Sequence, residues 1–145
     1  MPSFARKLLL AAALIATPAA ATDIIMHRDP GCGCCEKWAA QVRAAFGRNV
    51  RIVDDTNRAA LDRRLGVPAA LAGCHTAFVD GMIFEGHVPI ADMRRLLAAK
   101  PKGVRGLAVA GMPMGSPGME MPGMVPDHYT VVAFGTGRPF VFARH

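Results

Sequence analysis

The sequence predicts a mixed α/β fold with the element order βαβα, then a β-hairpin, then a third helix. Short apolar runs alternate along the chain with segments whose apolar residues recur at helical spacing. The pair Asp80-Gly81 separates two β-prone runs at 76–79 and 82–85, which is the strongest hairpin signal present. With a right-handed crossover in the first half, this order predicts a thioredoxin-like arrangement.

The first half of the chain supplies two strands and two helices. Residues 23–28 form an apolar strand that ends at a turn-prone Asp-Pro-Gly sequence. Residues 34–46 follow as an amphipathic helix that a glycine ends, and residues 50–53 alternate as a second strand. A second helix is predicted over 57–65, with N-cap candidates at 54–56.

The second half adds the hairpin, a third helix and an irregular tail. Proline opens the third helix, which is predicted over 89–99. Residues 111–124, called the Met-rich loop below, carry five of the nine methionines among Gly, Pro and Ser, so they are expected to form an exposed or surface-draped loop. Residues 129–134 and 139–142 are predicted to form a closing β-hairpin. The side chains expected in the core are Met26, Trp38, Val42, Ala45, Phe46, Met82, Ile90, Met93, Leu96 and Leu97.

Residues 1–21 have the pattern of a secretory signal peptide. A charged start precedes a short apolar run at 8–16 and an A-x-A cleavage site at 19–21. The apolar run is too short to span a bilayer, so no transmembrane anchor is expected in the mature chain. Cleavage would remove 21 of the 145 residues and leave a single domain over 22–145, which we expect in the periplasm.

The charge pattern argues against nucleic-acid binding. The formal net charge is +6, and removal of Arg6 and Lys7 with the signal peptide lowers it to +4. The remaining arginines are scattered, and the chain has one Trp and one Tyr. A nucleic-acid interface needs a clustered basic face and aromatic rings that stack on bases, so this class is excluded.

The cysteines form the most informative motif. Cys32, Cys34 and Cys35 fall within four residues at the start of the first predicted helix, and Cys74 is the fourth. Neighbouring thiolates repel one another by about 4 kcal/mol at 4 Å and an effective dielectric near 20. Protons, a disulfide or a soft metal ion must therefore neutralise them, and the helix N-terminus favours the thiolate form.

Two interpretations of the cysteines remain open. Cys32 and Cys35 have the C-x-x-C spacing of a thiol–disulfide oxidoreductase, which leaves Cys34 and Cys74 to pair or to stay free. The metal interpretation explains more residues. Structural zinc sites usually take cysteines as two separated pairs, whereas several Cu(I) ions neutralise four clustered thiolates, and thioethers also favour Cu(I).

Further candidate ligands are assigned a secondary role. The two histidines near Cys74 are expected to act as ligands or as hydrogen-bond donors to ligands. The secondary candidates are His75, His87, Met112, Met114, Met119, Met121 and Met124.

Five motifs in this order resemble the CopG-type periplasmic copper-resistance proteins, a family long catalogued as a domain of unknown function. The motifs are PGCGCCEKW at 30–38, GVP at 66–68, CHTAFVDG at 74–81, EGHVP at 85–89 and GMPMGSPGM at 111–119. The resemblance implies a thioredoxin-like fold and a cysteine-bridged copper site at Cys32, Cys34, Cys35 and Cys74. It also implies a role in handling excess copper, alongside periplasmic copper carriers and efflux components.

The preferred interpretation is a periplasmic protein that holds several Cu(I) ions in a cysteine-bridged cluster. Whether such a protein stores copper or also changes its oxidation state stays open, as does the oxidoreductase alternative. In a thioredoxin-like fold, the segment entering the hairpin packs beside the N-terminus of the first helix. We therefore expect Cys74 to face the other three cysteines.

Overall fold

The structure is a computed structural model that describes residues 22–145, so the predicted signal peptide lies outside the described residues. Residues 22–145 contain seven strands, three α-helices and a short 3-10 turn at Ala69–Leu71. In chain order the elements are β1 (Ile24–Arg28), α1 (Gly33–Phe46), β2 (Val50–Asp54), α2 (Arg58–Leu65), β3 (His75–Val79), β4 (Met82–Glu85), α3 (Ile90–Ala99), β5 (Val104–Ala108), β6 (Thr130–Gly135) and β7 (Phe140–Arg144). The predicted α/β class and the predicted order through α3 are confirmed.

The seven strands form one sheet in the order β2-β1-β3-β4-β5-β6-β7. β1 pairs with β2 in parallel through the α1 crossover, and β3 pairs antiparallel with both β1 and β4. β6 and β7 form the predicted closing hairpin. The last residues of β1 and the first residues of β3 therefore lie side by side at the same end of the sheet.

The start of α1 is set by a cysteine side chain. Cys32 is the N-cap residue, and its Sγ accepts a hydrogen bond from the backbone N–H of Cys35 at 3.3 Å. Gly47 ends the helix in the left-handed conformation, with φ of 61°. Trp38 and Val42 lie on the buried face, as the spacing predicts.

The start of α2 differs from the prediction. Asp54 is the last residue of β2, and the Asp55 carboxylate accepts a hydrogen bond from the N–H of Asn57 in a turn. Asn57 is the N-cap residue, without a side-chain capping bond. Positions 54–56 are thus a strand end and a turn, because the parallel ladder with β1 extends one residue further than the apolar pattern does.

β5 was not predicted from the sequence. It has five residues and contains Gly106, so its strand signal is weak. Gly106 packs against the backbone carbonyl of Ile83 in β4, where a Cβ atom has no room. β5 pairs with β4 in parallel and with β6 antiparallel, so it joins the two predicted hairpins into one sheet.

Half of the ten predicted core residues are buried and the other half are half-buried. Met26, Trp38, Met93 and Leu96 are fully buried, whereas Met82 is half-buried against the same cluster. The remaining half-buried members of the predicted set are Ala45, Phe46, Ile90 and Leu97. Among residues 22–145, no helix has the length and apolarity needed to cross a membrane.

Candidate metal centre

Three cysteines lie at the N-terminal turn of α1. Cys32 precedes the helix, while Cys34 and Cys35 belong to its first turn. Unpaired N–H groups and the helix dipole at this end stabilise negative charge, including that of thiolates. In the structure Cys32 and Cys35 are joined by a disulfide, and Cys34 and Cys74 are free thiols.

Strand pairing brings Cys74 to this turn. β1 and β3 are antiparallel with Arg28 opposite His75, so the residues just beyond this pair also face each other. The N–H of Asp29 donates to the carbonyl of Cys74 at 3.1 Å. The predicted approach of Cys74 to the three other cysteines is therefore observed, although 39 positions separate it from Cys35.

The four sulfur atoms form a compact group. Cys35 Sγ lies 3.2 Å from Cys74 Sγ, Cys34 Sγ lies 3.4 Å from Cys32 Sγ, and Cys34 Sγ lies 4.0 Å from Cys74 Sγ. All four sulfurs lie within 4.8 Å of one another. Such a set of soft donors fits a soft metal once the Cys32–Cys35 disulfide is reduced.

Burial keeps the metal-free Cys74 protonated. Desolvation, followed by the neighbouring Cys34, raises the pKa of the Cys74 thiol to about 12. A thiolate at Cys74 is therefore unfavourable without a cation. A metal ion that binds here must displace the Cys74 proton.

Two buried histidines contact Cys74 from the side of β3 and β4. His87 Nε2 lies 3.1 Å from Cys74 Sγ, and His75 Nδ1 lies 3.6 Å from the same sulfur. The two rings meet edge to face at a centroid distance of 5.0 Å. Burial lowers the pKa of both imidazoles, most strongly that of His75, so both rings are neutral near pH 7.

The structure distinguishes among the predicted methionines. Met112 Sδ lies 3.9 Å from Cys34 Sγ, at the exposed side of the cysteines. Met114 and Met119 are half-buried in the Met-rich loop. Met121 and Met124 are 55% and 54% exposed. Among the described residues, Met112 is the one of these five whose sulfur contacts a cysteine sulfur.

The Met-rich loop is held against α1 and His87. The Pro117 carbonyl accepts a hydrogen bond from His87 Nδ1 at 2.8 Å, and the Glu120 carboxylate accepts one from Gln41 of α1 at 2.9 Å. At Gly118 a Cβ atom would lie 2.7 Å from the Cys34 carbonyl. The loop thus lies along the surface next to the cysteines. Of the two predicted forms, exposed or surface-draped, the second is observed.

A buried ion-pair network supports Cys74 and was missed in the sequence. Arg58 Nη1 donates to the carbonyl of Gly73 at 2.9 Å, and the Glu85 carboxylate accepts the N–H of Gly73 at 2.7 Å. Arg58 Nη2 also donates to Glu85 at 2.9 Å, and Thr76 lies between Glu85 and Asp62. The N–H and the carbonyl of Gly73, the residue before Cys74, are therefore both held by hydrogen bonds. The hairpin register, with Thr76 opposite Glu85, was the available signal for part of this network.

Comparisons with known proteins show which family this chain resembles. A family model described as "Protein of unknown function, DUF411" matches residues 71–119. The search of curated proteins found no match.

Two solved structures are similar over most of the chain. One, described as copper resistance protein CopG, form 1, is 42% identical with a TM-score of 0.77; the match covers 85% of this chain and 96% of that one. The second, form 2 of copper resistance protein CopG, is 41% identical with a TM-score of 0.77, and the match covers 85% and 97% of the two chains. Identity and coverage of this extent place the chain in a known family: it belongs to the CopG family of copper resistance proteins.

Proposed function

We propose that this protein binds several Cu(I) ions in the periplasm through a thiolate cluster formed by Cys32, Cys34, Cys35 and Cys74. The observation that supports the proposal most directly is the convergence of all four sulfurs within 4.8 Å. The similarity to copper resistance proteins supports copper as the metal.

The donor set favours Cu(I) over a single divalent ion. Four thiolates carry four negative charges, and one divalent cation leaves the site anionic in a partly buried environment. Monovalent Cu(I) accepts low coordination numbers, so several ions share a few bridging sulfurs and neutralise them together. Soft sulfur ligands also select Cu(I) over Mg²⁺ or Ca²⁺, which prefer oxygen.

The surrounding residues have distinct tasks in this proposal. Met112 offers a neutral thioether at the exposed side, where copper would enter. Arg58 and Glu85 hold the backbone before Cys74 and so fix its sulfur relative to α1. Periplasmic copper carriers or efflux components are the expected partners. The predicted signal peptide supports this location.

An anaerobic Cu(I) titration of the reduced protein against a competing chelator tests the proposal. We expect more than one tightly held Cu(I) per chain, with the tight sites lost when Cys32, Cys34 and Cys35 are all replaced by serine. Replacement of the exposed Met121 by leucine is the control and should leave the count unchanged. No tight copper, or equal copper in the cysteine variant, would contradict the proposal. A subsequent test for turnover between Cu(I) and Cu(II) distinguishes a copper oxidoreductase from a store.

Thiol–disulfide exchange is a second candidate function, favoured by the Cys32–Cys35 disulfide at the start of α1. Helix N-terminal C-x-x-C pairs are typical of disulfide oxidoreductases, because the helix end stabilises the attacking thiolate. This alternative expects metal-free protein to reduce or oxidise protein disulfides, with activity lost in Cys32→Ser and retained in Cys74→Ser. The copper proposal expects Cys74→Ser to be impaired instead.

A further inference from the structure

We propose that the cleft between the start of the Met-rich loop and the end of β7 binds a small thiol that bears carboxylate groups and delivers Cu(I) to the cysteines. This inference rests on the proposed copper binding and adds a site for the compound that carries the metal. The cleft has a volume of about 860 Å³, and its lining includes Met112 and Pro113 of the loop together with Tyr129, Arg144 and His145. Binding sites for small molecules typically have volumes of about 300 to 1,000 Å³.

Met112 connects this cleft to the cysteines. The residue is 54% exposed and lines the cleft, and its Sδ lies 3.9 Å from Cys34 Sγ. Cu(I) is held by soft thiolate and thioether ligands, so it reaches a protein as a complex and not as a free ion. A thiol seated in the cleft would therefore bring its copper beside the thioether that leads to Cys34.

The charged side chains of the cleft favour an anionic ligand. The Arg144 guanidinium is exposed, and among residues 22–145 no carboxylate forms an ion pair with it. Guanidinium groups bind carboxylates through two parallel hydrogen bonds. The Asp127 carboxylate also lines the cleft, but it accepts the N–H of Met114 at 2.8 Å and so has a partner in the loop backbone. Arg144 is therefore the group that we expect to hold a carboxylate of the ligand.

Tyr129 and His145 form a wall of the cleft that is held in place without a ligand. Their rings stack at a centroid distance of 5.2 Å, and His145 Nε2 lies 2.7 Å from a carboxylate oxygen of the buried Asp92. The backbone N–H of each residue also donates to the carbonyl of the other, at 3.1 and 2.9 Å. Burial, followed by the charges of Asp92 and Glu120, raises the pKa of the Tyr129 hydroxyl, so Tyr129 is neutral near pH 7 and does not repel an anion. Such preorganisation lowers the entropy cost of binding.

Delivery from the cleft is a ligand exchange in which copper stays Cu(I). The bond between Cu(I) and the sulfur of the small thiol breaks, and bonds to Met112 Sδ and then to Cys34 Sγ form. The proton that the Cys34 thiol loses passes to the released thiolate, so the small molecule leaves as a thiol. The exchange therefore consumes no oxidant and no reductant.

Amide NMR of the metal-free protein with S-methylglutathione tests the cleft without copper. This probe keeps the carboxylates of glutathione, and its methylated sulfur cannot exchange with the protein disulfide. We expect saturable shifts of the Tyr129 and His145 amide signals, with binding about fivefold weaker in Arg144→Gln. Arg138→Gln is the matched control, because it removes the same charge at an exposed residue that precedes β7 and does not line the cleft. It should leave the affinity unchanged.

Stopped-flow transfer of Cu(I) to the reduced protein tests delivery. With Cu(I)–glutathione below saturation, Arg144→Gln should be slower than wild type by about fivefold. With Cu(I)–mercaptoethanol, whose thiol carries no carboxylate, the two proteins should load at the same rate. Equal slowing with both donors, or equal weakening of S-methylglutathione binding by Arg144→Gln and Arg138→Gln, would overturn the inference.

The two measurements separate failure of the cleft from failure of the proposed function. Tight copper in a protein that does not bind S-methylglutathione would overturn the role of the cleft and leave copper binding by the cysteines intact. Binding of S-methylglutathione by a protein without tight copper would overturn the proposed function and, with it, the delivery role.

Discussion

Gly118 is the point where the Met-rich loop lies closest to the cysteine-bearing turn of α1. Its φ of +86° lies in the region that favours glycine, and a Cβ atom there would lie 2.7 Å from the Cys34 carbonyl and 2.9 Å from the Trp38 nitrogen. Gly118→Ala therefore perturbs both the loop backbone and its packing against the helix.

The magnitude follows from two terms. A left-handed backbone conformation costs an L-residue about 1–2 kcal/mol relative to glycine. Overpacking against atoms that cannot move adds about 1–3 kcal/mol. Gly118→Ala should therefore lower the free energy of unfolding by about 2–5 kcal/mol, or lift the loop off α1 where that costs less.

Gly123→Ala is the matched control. Gly123 belongs to the same loop and has φ of +77°, but no atom of residues 22–145 lies within 4 Å of its added Cβ. In this variant the free energy of unfolding should fall only by the cost of the left-handed backbone conformation, about 1–2 kcal/mol. The difference between the two variants thus measures the packing of the loop on α1.

Urea unfolding of both variants, with a Cu(I) titration of each, is the assay. Lifting the loop also removes the Pro117 carbonyl from His87, whose Nε2 lies 3.1 Å from Cys74 Sγ, so Gly118→Ala should weaken Cu(I) binding while Gly123→Ala should not. Equal destabilisation by the two substitutions would refute the argument, because it would mean that the loop does not press on α1.

Three further predictions concern single side chains. Cys74→Ser should sharply weaken Cu(I) binding and leave the far-ultraviolet circular dichroism spectrum unchanged; unaltered affinity and stoichiometry would remove Cys74 from the site. Met112→Leu should slow Cu(I) uptake in stopped-flow transfer from a chelator, because its thioether lies 3.9 Å from Cys34 Sγ, whereas Met121→Leu should not; equal rates would exclude an entry role for Met112. Burial raises the pKa of the Glu85 carboxyl above its ordinary 4.5. The protonated side chain therefore stabilises the folded protein fully below pH 4.5, and this stabilisation is lost as the pH rises through the folded-state pKa. The free energy of unfolding of Glu85→Gln relative to wild type should therefore increase with pH across that window in urea titrations, and a constant difference would contradict the raised pKa.

Local patterns in the sequence were sufficient for most of the secondary structure. The helical spacing around Trp38, the Asp80-Gly81 turn and the proline before α3 each act within a few residues, so they specify an element without its partners. β5 was missed for the same reason. Its identity as a strand depends on pairing with β4 and β6 and on the close approach of Gly106 to Ile83, which are not local properties.

The candidate site also has parts that local sequence predicts and parts that it does not. The cysteine triplet and the concentration of methionines are visible in the sequence, because their charge and softness follow from composition and spacing alone. The sequence by itself therefore determined the α/β order, the cysteine motif from which a soft metal is proposed and the family that it resembles.

Tertiary structure decided which residues meet. Antiparallel pairing of β1 with β3 brings Cys74 to the triplet, and the β3–β4 register sets His87 across from Cys74. The loop path selects Met112 among five methionines, and in the described part of the chain burial leaves His75 Nε2 without a hydrogen-bond partner. These outcomes depend on strand register and on packing between distant segments. A shift of one residue in either strand register would turn these side chains to the opposite face of the sheet. Residue types and spacing along the chain therefore do not specify which side chains meet.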